Sequence, residues 1–547
     1  MESPRKPGPA PDGREIFRNF PPEQGESDPL EEEARKRFGI GGLAPYQRLV
    51  IQNILEAFQT AGDPDAPEDL APELSRNRQI VILPTGAGKS LCFMLPAVFL
   101  PGLTLVIFPL LALMSDQLRR LAQGGIPSGA LRGGQTREER EGIFREAEAG
   151  RLKLILSNPE TVIQPGIRDR LAKLPLDHAV LDEAHTLYEW GQTFRPAYRD
   201  LAETLKGLPV RVLTAFTATA SPDVLAGIRE MAFPRGAHLI QGSPDRENIS
   251  YRVLPSLHPA WDTARLLLPR AGKEPGLPLA RPALVFCSSR RLAEQTARDL
   301  RFRSGDREIF FYHAGLSRPE KSRIEEWFFH SKGGILCATC AYGMGVDKPD
   351  IRTVIHREPP ATVEAYLQEA GRAGRDRRPS EAVLLRPWFP PSGPERAPFA
   401  GAEGGTGTDE EGGTPEGGFA RQLARRRLAF LQVLYNDTLC RRQGLLALLN
   451  AAPEACAGCD VCRGEVVRAP QGVEELLPRL KRLKRRYTGG QLKFLLAGYG
   501  SSRILRDRLF RSRDFGRLSP LSPDDVQFLL KKLAPEAAKK GLFRKTP

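Results

Sequence analysis

Short apolar runs rich in β-branched residues, separated by helix-like stretches, fill the first two thirds of the chain. Residues 80–83, 103–108, 154–157, 178–181 and 212–216 are apolar without alternation. That is the pattern of strands buried on both faces of a parallel sheet. Strands alternating with helices predict an open α/β sheet. The pattern restarts at 282–286 and continues through 334–338 and 353–355, which predicts a second α/β lobe. The expected organisation is a disordered tail over 1–36, a first lobe over 37–236 and a second over 237–388. A Pro-, Gly-, Glu- and Thr-rich linker or insertion over 389–418 follows. A helical segment at 419–440 leads into a cysteine cluster, making a module over 419–467. Residues 468–547 carry three short helix-like stretches, at 473–480, 491–496 and 524–533.

Composition narrows the class. At roughly 150 residues per domain, 547 residues suggest three to four domains. Hydrophobic residues are 41% and charged residues 27%, as in an ordinary globular protein. No run approaches the roughly 18 apolar residues of a membrane-spanning helix. The first residues lack the apolar core of a secretory signal, and eight cysteines are too few for a disulfide scaffold. An intracellular protein, cytoplasmic or nuclear, is expected. The charge is uneven: residues 463–547 hold 21 Lys/Arg against 8 Asp/Glu, nearly all of the net +14. A basic module on a near-neutral body suggests a polyanion partner, most often nucleic acid; a solvated helix face is the alternative.

Three sets of residues carry chemistry. Leu83-Pro84-Thr85-Gly86-Ala87-Gly88-Lys89-Ser90 follows a strand and precedes a helix-like run. It has Leu83 where the phosphate-loop pattern starts with glycine. Gly86 and Gly88 let backbone N–H groups curl around phosphates, Lys89 can reach the terminal phosphates of a nucleotide, and Ser90 can ligate Mg²⁺. Asp182 and Glu183 end a strand about 90 residues later: Asp182 would hold Mg²⁺ and Glu183 would orient or deprotonate water. Arg372 and Arg375 are spaced to share one helix face or turn and could reach a γ-phosphate; alternatively they form a surface salt-bridge pair. Cys456, Cys459 and Cys462 make two C-x2-C steps, with Cys440 upstream. Four thiolates suit a closed, structural Zn²⁺ site. An iron–sulfur run would need a further cysteine at 466, where Val466 stands.

The ordered set LPTGAGKS, FPLLALMSDQ (108–117), LDEAH, FTATA (216–220), VFCSSR (285–290), YHAGL (312–316), ATCAYGMGVDKPDIRTVIH (338–356) and QEAGRAGRD resembles superfamily 2 helicases, and in detail the RecQ family of DNA helicases. The resemblance spans about 38–540. It implies two RecA-like lobes with ATP between them and single-stranded DNA across the top, moved 3′→5′. The zinc module and a winged-helix-like basic module gripping duplex DNA would follow. In its terms Gln47 reads the adenine edge, and Gly345, Asp347 and Gln368 join the nucleotide cleft. Thr217 and Thr219 link the lobes, while Trp190, Phe194 and Arg195 couple DNA contact to Glu183. The expected activity is DNA-stimulated ATP hydrolysis driving strand separation in recombination or repair. The expected partners are single-stranded and tailed duplex DNA, with no membrane, and the expected state is a monomer. An RNA helicase or a non-unwinding translocase is one alternative. A DNA-binding or annealing scaffold with a switch-like nucleotide site is another. The sequence departs from the family at Ile40 and Ala44, where an aromatic and an arginine are usual, and at Gln192 and Thr193.

Overall fold

The computed structural model describes residues 28–60, 77–109, 111–191, 197–256, 259–268, 279–343, 348–387, 415–468 and 473–531, the last with short gaps between 513 and 529. Thirteen strands among them form two all-parallel sheets. β1 (Arg78–Ile82), β2 (Leu103–Ile107), β3 (Ser128–Ala130), β4 (Leu154–Ser157), β5 (Leu176–Leu181), β6 (Val212–Thr217) and β7 (His238–Gln241) lie in the order β3-β4-β2-β5-β6-β1-β7. β8 (Ile249–Ser256), β9 (Ala283–Phe286), β10 (Ile309–Tyr312), β11 (Ile335–Ala338), β12 (Thr353–His356) and β13 (Ser380–Pro387) lie in the order β10-β11-β9-β12-β13-β8. Central strands β2, β5 and β6 are buried at every position, which is why their sequences are mostly apolar and do not alternate. Each sheet has a core on both faces, as two-sided helix cover requires.

The strands that periodicity did not mark have physical reasons. β3 is Ser-Gly-Ala, half-buried throughout. β7 and β8 are edge strands, and β13, beside β8, interleaves Glu381 and Arg386 with apolar residues. The expected tail over 1–36 is corrected at its end by a helix, Pro29–Phe38. Its charged surface reads as tail, yet Leu30 and Ala34, four apart, seat against Ile51, Leu55, Leu91 and Leu95. Asp28 accepts from the Leu30 N–H at 3.0 Å, and Gly39 closes the helix at φ 66°.

After the second sheet the helix Pro415–Tyr435 begins, inside the stretch expected as linker. It packs Phe430 on Tyr366 of the second lobe, ring centroids 5.6 Å apart. The helix Arg441–Leu448 follows. Cys459 then forms a parallel bridge with Tyr251 of β8, so the cysteine module prolongs the open edge of the second sheet. The basic module has its own small core, in which Leu480, Leu483, Leu492, Leu495 and Ile504 draw the helices Val473–Arg486, Gly489–Ala497 and Ser502–Arg506 together. Of the helix expected over 524–533, the described residues Val526, Gln527, Leu530 and Lys531 are helical. No strand follows β13 among the described residues, so no wing hairpin is among them. No described helix is long and apolar enough to cross a membrane.

Candidate functional site

β1, β6 and β5 are adjacent, and their C-terminal ends bring the phosphate loop, Thr217 and the acidic pair together. In open α/β sheets this end is where ligands bind. Leu83 leaves β1 by donating its N–H to Thr217 O at 3.0 Å. Its side chain is 1% exposed and its backbone is not left-handed, so glycine is not needed at this position. Gly86 and Gly88 are left-handed, at φ 85° and 75°, and this is where the loop demands glycine. Gly88 also caps the helix Lys89–Phe99, whose N-terminus faces the loop. Thr85, Lys89 and Ser90 are part-exposed on it, and Lys89 Nζ donates to Leu83 O at 3.3 Å.

Gln47 braces this loop: its Nε2 donates to Ala87 O at 2.9 Å, and its Oε1 accepts from the Ala44 N–H at 2.9 Å. One Nε2 proton and one Oε1 lone pair are left over, enough to read a base edge. Tyr46 OH also donates to Ala87 O, at 3.3 Å. Ile40 packs instead into the small core beside the N-terminal helix.

Asp182 and Glu183 sit where β5 ends. Burial and the neighbouring Glu183 carboxylate push the Asp182 carboxyl well above its usual range, against the pull of Lys89. Two acids in so dry a place suit a bound divalent cation. Glu183 has φ 49°, a strained conformation for a residue with a side chain, and its N–H donates to Asp182 Oδ1 at 3.0 Å. Thr217 gives its only hydroxyl proton to Thr219 O at 3.0 Å. In the 3.1 Å contact with Thr217 Oγ1, His185 Nδ1 is therefore the donor, and Glu183 Oε2 lies 3.4 Å from the same nitrogen. A chain of contacts thus runs from the acidic pair to the segment that faces the second lobe.

The second lobe meets this site directly. The helix Val363–Ala370 carries Gln368 on its last turn and ends just before Arg372 and Arg375, which lie in the turns over 371–376 rather than on the helix. A Cβ placed on Gly371 would lie 3.6 Å from Thr85 Cβ, and one on Gly86 would lie 3.9 Å from Arg375 Cγ. Arg372 is 4% exposed; burial and the Arg375 charge lower its pKa to about 10, against the pull of Glu183 among other groups. It remains cationic at neutral pH, beside a like charge, which suits an anionic ligand in the cleft. Arg357, also buried, instead serves the core by donating to Thr296.

Sequence reading missed Arg246. It lies on the connection between the sheets and donates from Nη1 to Thr85 O at 3.1 Å and Gly371 O at 3.0 Å. Its Nη2 donates to Ala373 O at 3.2 Å and Gly374 O at 2.8 Å. One guanidinium therefore joins the phosphate loop to the arginine turn. No spacing marks it; the one available signal is a charged Asp-Arg-Glu run between two lobes.

Cys440, Cys456, Cys459 and Cys462 converge, with their sulfurs all within 4.8 Å of one another. Cys440 and Cys459 are 3.9 Å apart, near the ~3.8 Å that tetrahedral Zn–S bonds of about 2.3 Å impose. The Cys462 N–H points at Cys459 Sγ at 3.4 Å, and the Gln443 N–H at Cys440 Sγ at 3.5 Å, as thiolate ligands favour. Arg442, two residues after Cys440, donates to Asp245 and to Ile249 O at 2.6 Å, so the cluster buttresses the connection that carries Arg246.

Gly345, Asp347, Phe194 and Arg195 lie outside the described residues, as do Gln192 and Thr193. Trp190 falls within the helix His185–Gly191, whose backbone alone is described there.

The DEAD/DEAH box helicase family matches residues 44–226, and the helicase conserved C-terminal domain matches 279–377. The probable ATP-dependent DNA helicase RecS of Bacillus subtilis is 38% identical over 65% of this chain and 66% of its own. The ATP-dependent DNA helicase RecQ of Pasteurella multocida is 33% identical over 70% of this chain and 57% of its own. The hus2/rqh1 helicase of Schizosaccharomyces pombe is 33% identical over 90% of this chain but 37% of its own. The chain thus spans between about a third and two thirds of these relatives. Among solved structures, the DUF1998 helicase MrfA bound to DNA superposes with a TM-score of 0.51 at 19% identity, over 66% of this chain and 51% of that one. The DEAD-box helicase Mss116 bound to single-stranded RNA gives 0.51 at 14%, over 90% of this chain and 95% of that one. These two share the fold.

Proposed function

Because the chain belongs to the RecQ family of superfamily 2 helicases, we propose that it is an ATP-dependent DNA helicase that moves 3′→5′ on single-stranded DNA and separates duplex DNA, in recombination or repair. It works inside the cell, on single-stranded and tailed duplex DNA, as a monomer. The observation that carries this reading is the meeting of the phosphate loop with the Arg372–Arg375 turn, beside Asp182 and Glu183.

ATP binds in that cleft, with its phosphates on the backbone of Gly86–Lys89, Lys89 on the terminal phosphates and Gln47 at the base. Ser90 and Asp182 would hold Mg²⁺, which would neutralise phosphate charge there. Glu183 takes the proton of the attacking water, and Arg372 and Arg375 stabilise charge on the transferring phosphoryl group. Thr85, Gly345, Asp347 and Gln368 complete the cleft. Once phosphate leaves, Arg372 and Arg375 lose the anion that draws them to the first lobe and the lobes reopen; Trp190, Phe194 and Arg195 link that cycle to DNA. The four cysteines would hold Zn²⁺, which would fix the module against β8. The basic module, winged-helix-like in role, grips duplex phosphates.

Two expected results follow from the geometry. Arg246→Ala removes the bonds that join the loop to the arginine turn; a loss of about 2 kcal/mol corresponds to a thirtyfold fall in kcat/KM for ATP. Steady-state hydrolysis with saturating DNA measures it. In the basic module Arg482, Arg485 and Arg486 are exposed. Replacing all three with alanine should flatten the log–log salt dependence of DNA affinity by about 2–3, read by fluorescence anisotropy from low to moderate salt.

Strand separation and ATP hydrolysis on a 3′-tailed DNA duplex, a 5′-tailed duplex and an RNA-tailed duplex test the reading. Stimulation of both by the 3′ DNA tail is expected. Hydrolysis without separation would make the protein a translocase, preference for the RNA tail an RNA helicase, and binding without stimulated hydrolysis a scaffold.

A further inference from the structure

The helix His185–Gly191 leads from the acidic pair into the segment 192–196, and its outer face is held by a residue outside both sheets. Arg426, on the helix Pro415–Tyr435, places one nitrogen, Nη2, on carboxylates from both lobes: Glu364 Oε1 of the second at 2.7 Å and Glu189 Oε1 of the first at 3.3 Å. Glu364 Oε1 also accepts the Ser221 N–H of the first lobe at 3.1 Å. One turn earlier on the long helix, Gln422 Oε1 accepts from Tyr188 OH at 2.5 Å. The Tyr188 ring lies on Gly227, where a Cβ would come within 2.1 Å, so it has no room to shift inward.

The three charges are unequally buried. The side chains of Glu364, Arg426 and Glu189 are 3%, 10% and 23% exposed. The long helix packs on the second lobe through Phe430 and Tyr366. If the lobes part, Arg426 therefore stays with Glu364, its shorter and drier contact. The links that break are the Ser221–Glu364 bond and those to Glu189 and Tyr188, the last two on the helix ending in Trp190 and Gly191. That helix is gripped from the second lobe's side only while the lobes are together.

We infer that Arg426 is a positioning residue that couples the helix His185–Gly191 to lobe closure, so that a shift of this helix when DNA binds is felt as a bias on the closed state. The inference rests on the helicase reading and adds to it a route that bypasses the nucleotide. It does not require Arg426 to touch ATP or DNA.

The test measures ATP hydrolysis with and without single-stranded DNA for Glu189→Gln, Arg426→Lys, Arg426→Ala and the double variant E189Q/R426K. Bound zinc and the thermal midpoint report folding. Glu189→Gln and Arg426→Lys leave the buried pair with Glu364 neutralised, so they carry the test if Arg426→Ala does not fold. For both, the DNA-free rate should stay within about twofold of the unaltered protein, and the DNA-stimulated kcat should fall about tenfold. The half-saturating DNA concentration should move by less than about threefold, and the double variant should be no worse than either single one. Full DNA stimulation in Glu189→Gln, or additive losses in the double variant, would overturn the coupling and leave Arg426 a structural tie. Absence of DNA stimulation in the unaltered protein would instead overturn the helicase reading, and this inference with it.

Discussion

Lys89→Ala is expected to abolish both DNA-stimulated ATP hydrolysis and strand separation, by a factor of about 10³ in kcat or more, while the fold persists. The reason is geometric. Lys89 opens the helix that follows the left-handed Gly88, and the field of its ammonium reaches Asp182. The second lobe's arginines approach from the other side, so without Lys89 the first lobe's side of the triphosphate loses this cation beside the acidic pair. Lys89 is part-exposed, and its one hydrogen bond within the fold goes to the Leu83 carbonyl, so stability should change by less than about 1 kcal/mol. Steady-state hydrolysis, a tailed-duplex unwinding assay and a thermal melt separate the two effects. A variant that keeps even a tenth of the rate would remove this loop from the chemistry.

Cys459→Ser should have the largest effect on stability. Cys459 is fully buried, and its neighbour Asp460 ties the module to the second sheet: Val253 N–H donates to Asp460 Oδ2 at 2.9 Å, and Arg441 Nε to Oδ1 at 3.1 Å. Structural Zn²⁺ contributes about 10–16 kcal/mol to folding such sites. Losing one thiolate should therefore release the metal and unfold the cysteine module instead of tuning it. Arg441, 1% exposed, then loses its bond to Asp460 and is held by Asp437 alone among its carboxylate partners. The damage should reach the nucleotide cleft, because Arg442 braces the connection bearing Arg246. Elemental analysis, the thermal midpoint and protease sensitivity of 415–468 measure it, and a chelator should reproduce the effect in the unaltered protein. Zinc retained with an unchanged midpoint would show that the cluster is not a structural metal site.

The two sheets were legible because strands buried on both faces are mostly apolar: β1, β2, β5 and β6 carry their apolar residues on both faces, and the few polar ones among them, such as Thr104, His178 and Thr214, are themselves buried. The phosphate loop, the acidic pair and the four cysteines were legible because phosphate, Mg²⁺ and Zn²⁺ accept few residue types at few spacings. The helix Pro29–Phe38 was read as tail because only Leu30 and Ala34 carry its burial, too few to mark a period. Edge strands such as β3 escaped because half-buried positions tolerate Ser and Gly.

What the sequence determined by itself is the chemistry: which side chains can meet phosphate and metal, and that two α/β sheets present them. Arg372 and Arg375 were visible as a pair, but nothing local distinguishes arginines facing a cleft from arginines on a surface. The tertiary structure decided that, by bringing Gly371 against Thr85 and burying Arg372 beside Arg375. It alone assigned Arg246, Arg426 and Arg442 their places. Each acts on backbone carbonyls or carboxylates at least 62 residues away along the chain. Such contacts are set by how whole lobes dock, and a carbonyl leaves no mark in the sequence to say which arginine will find it.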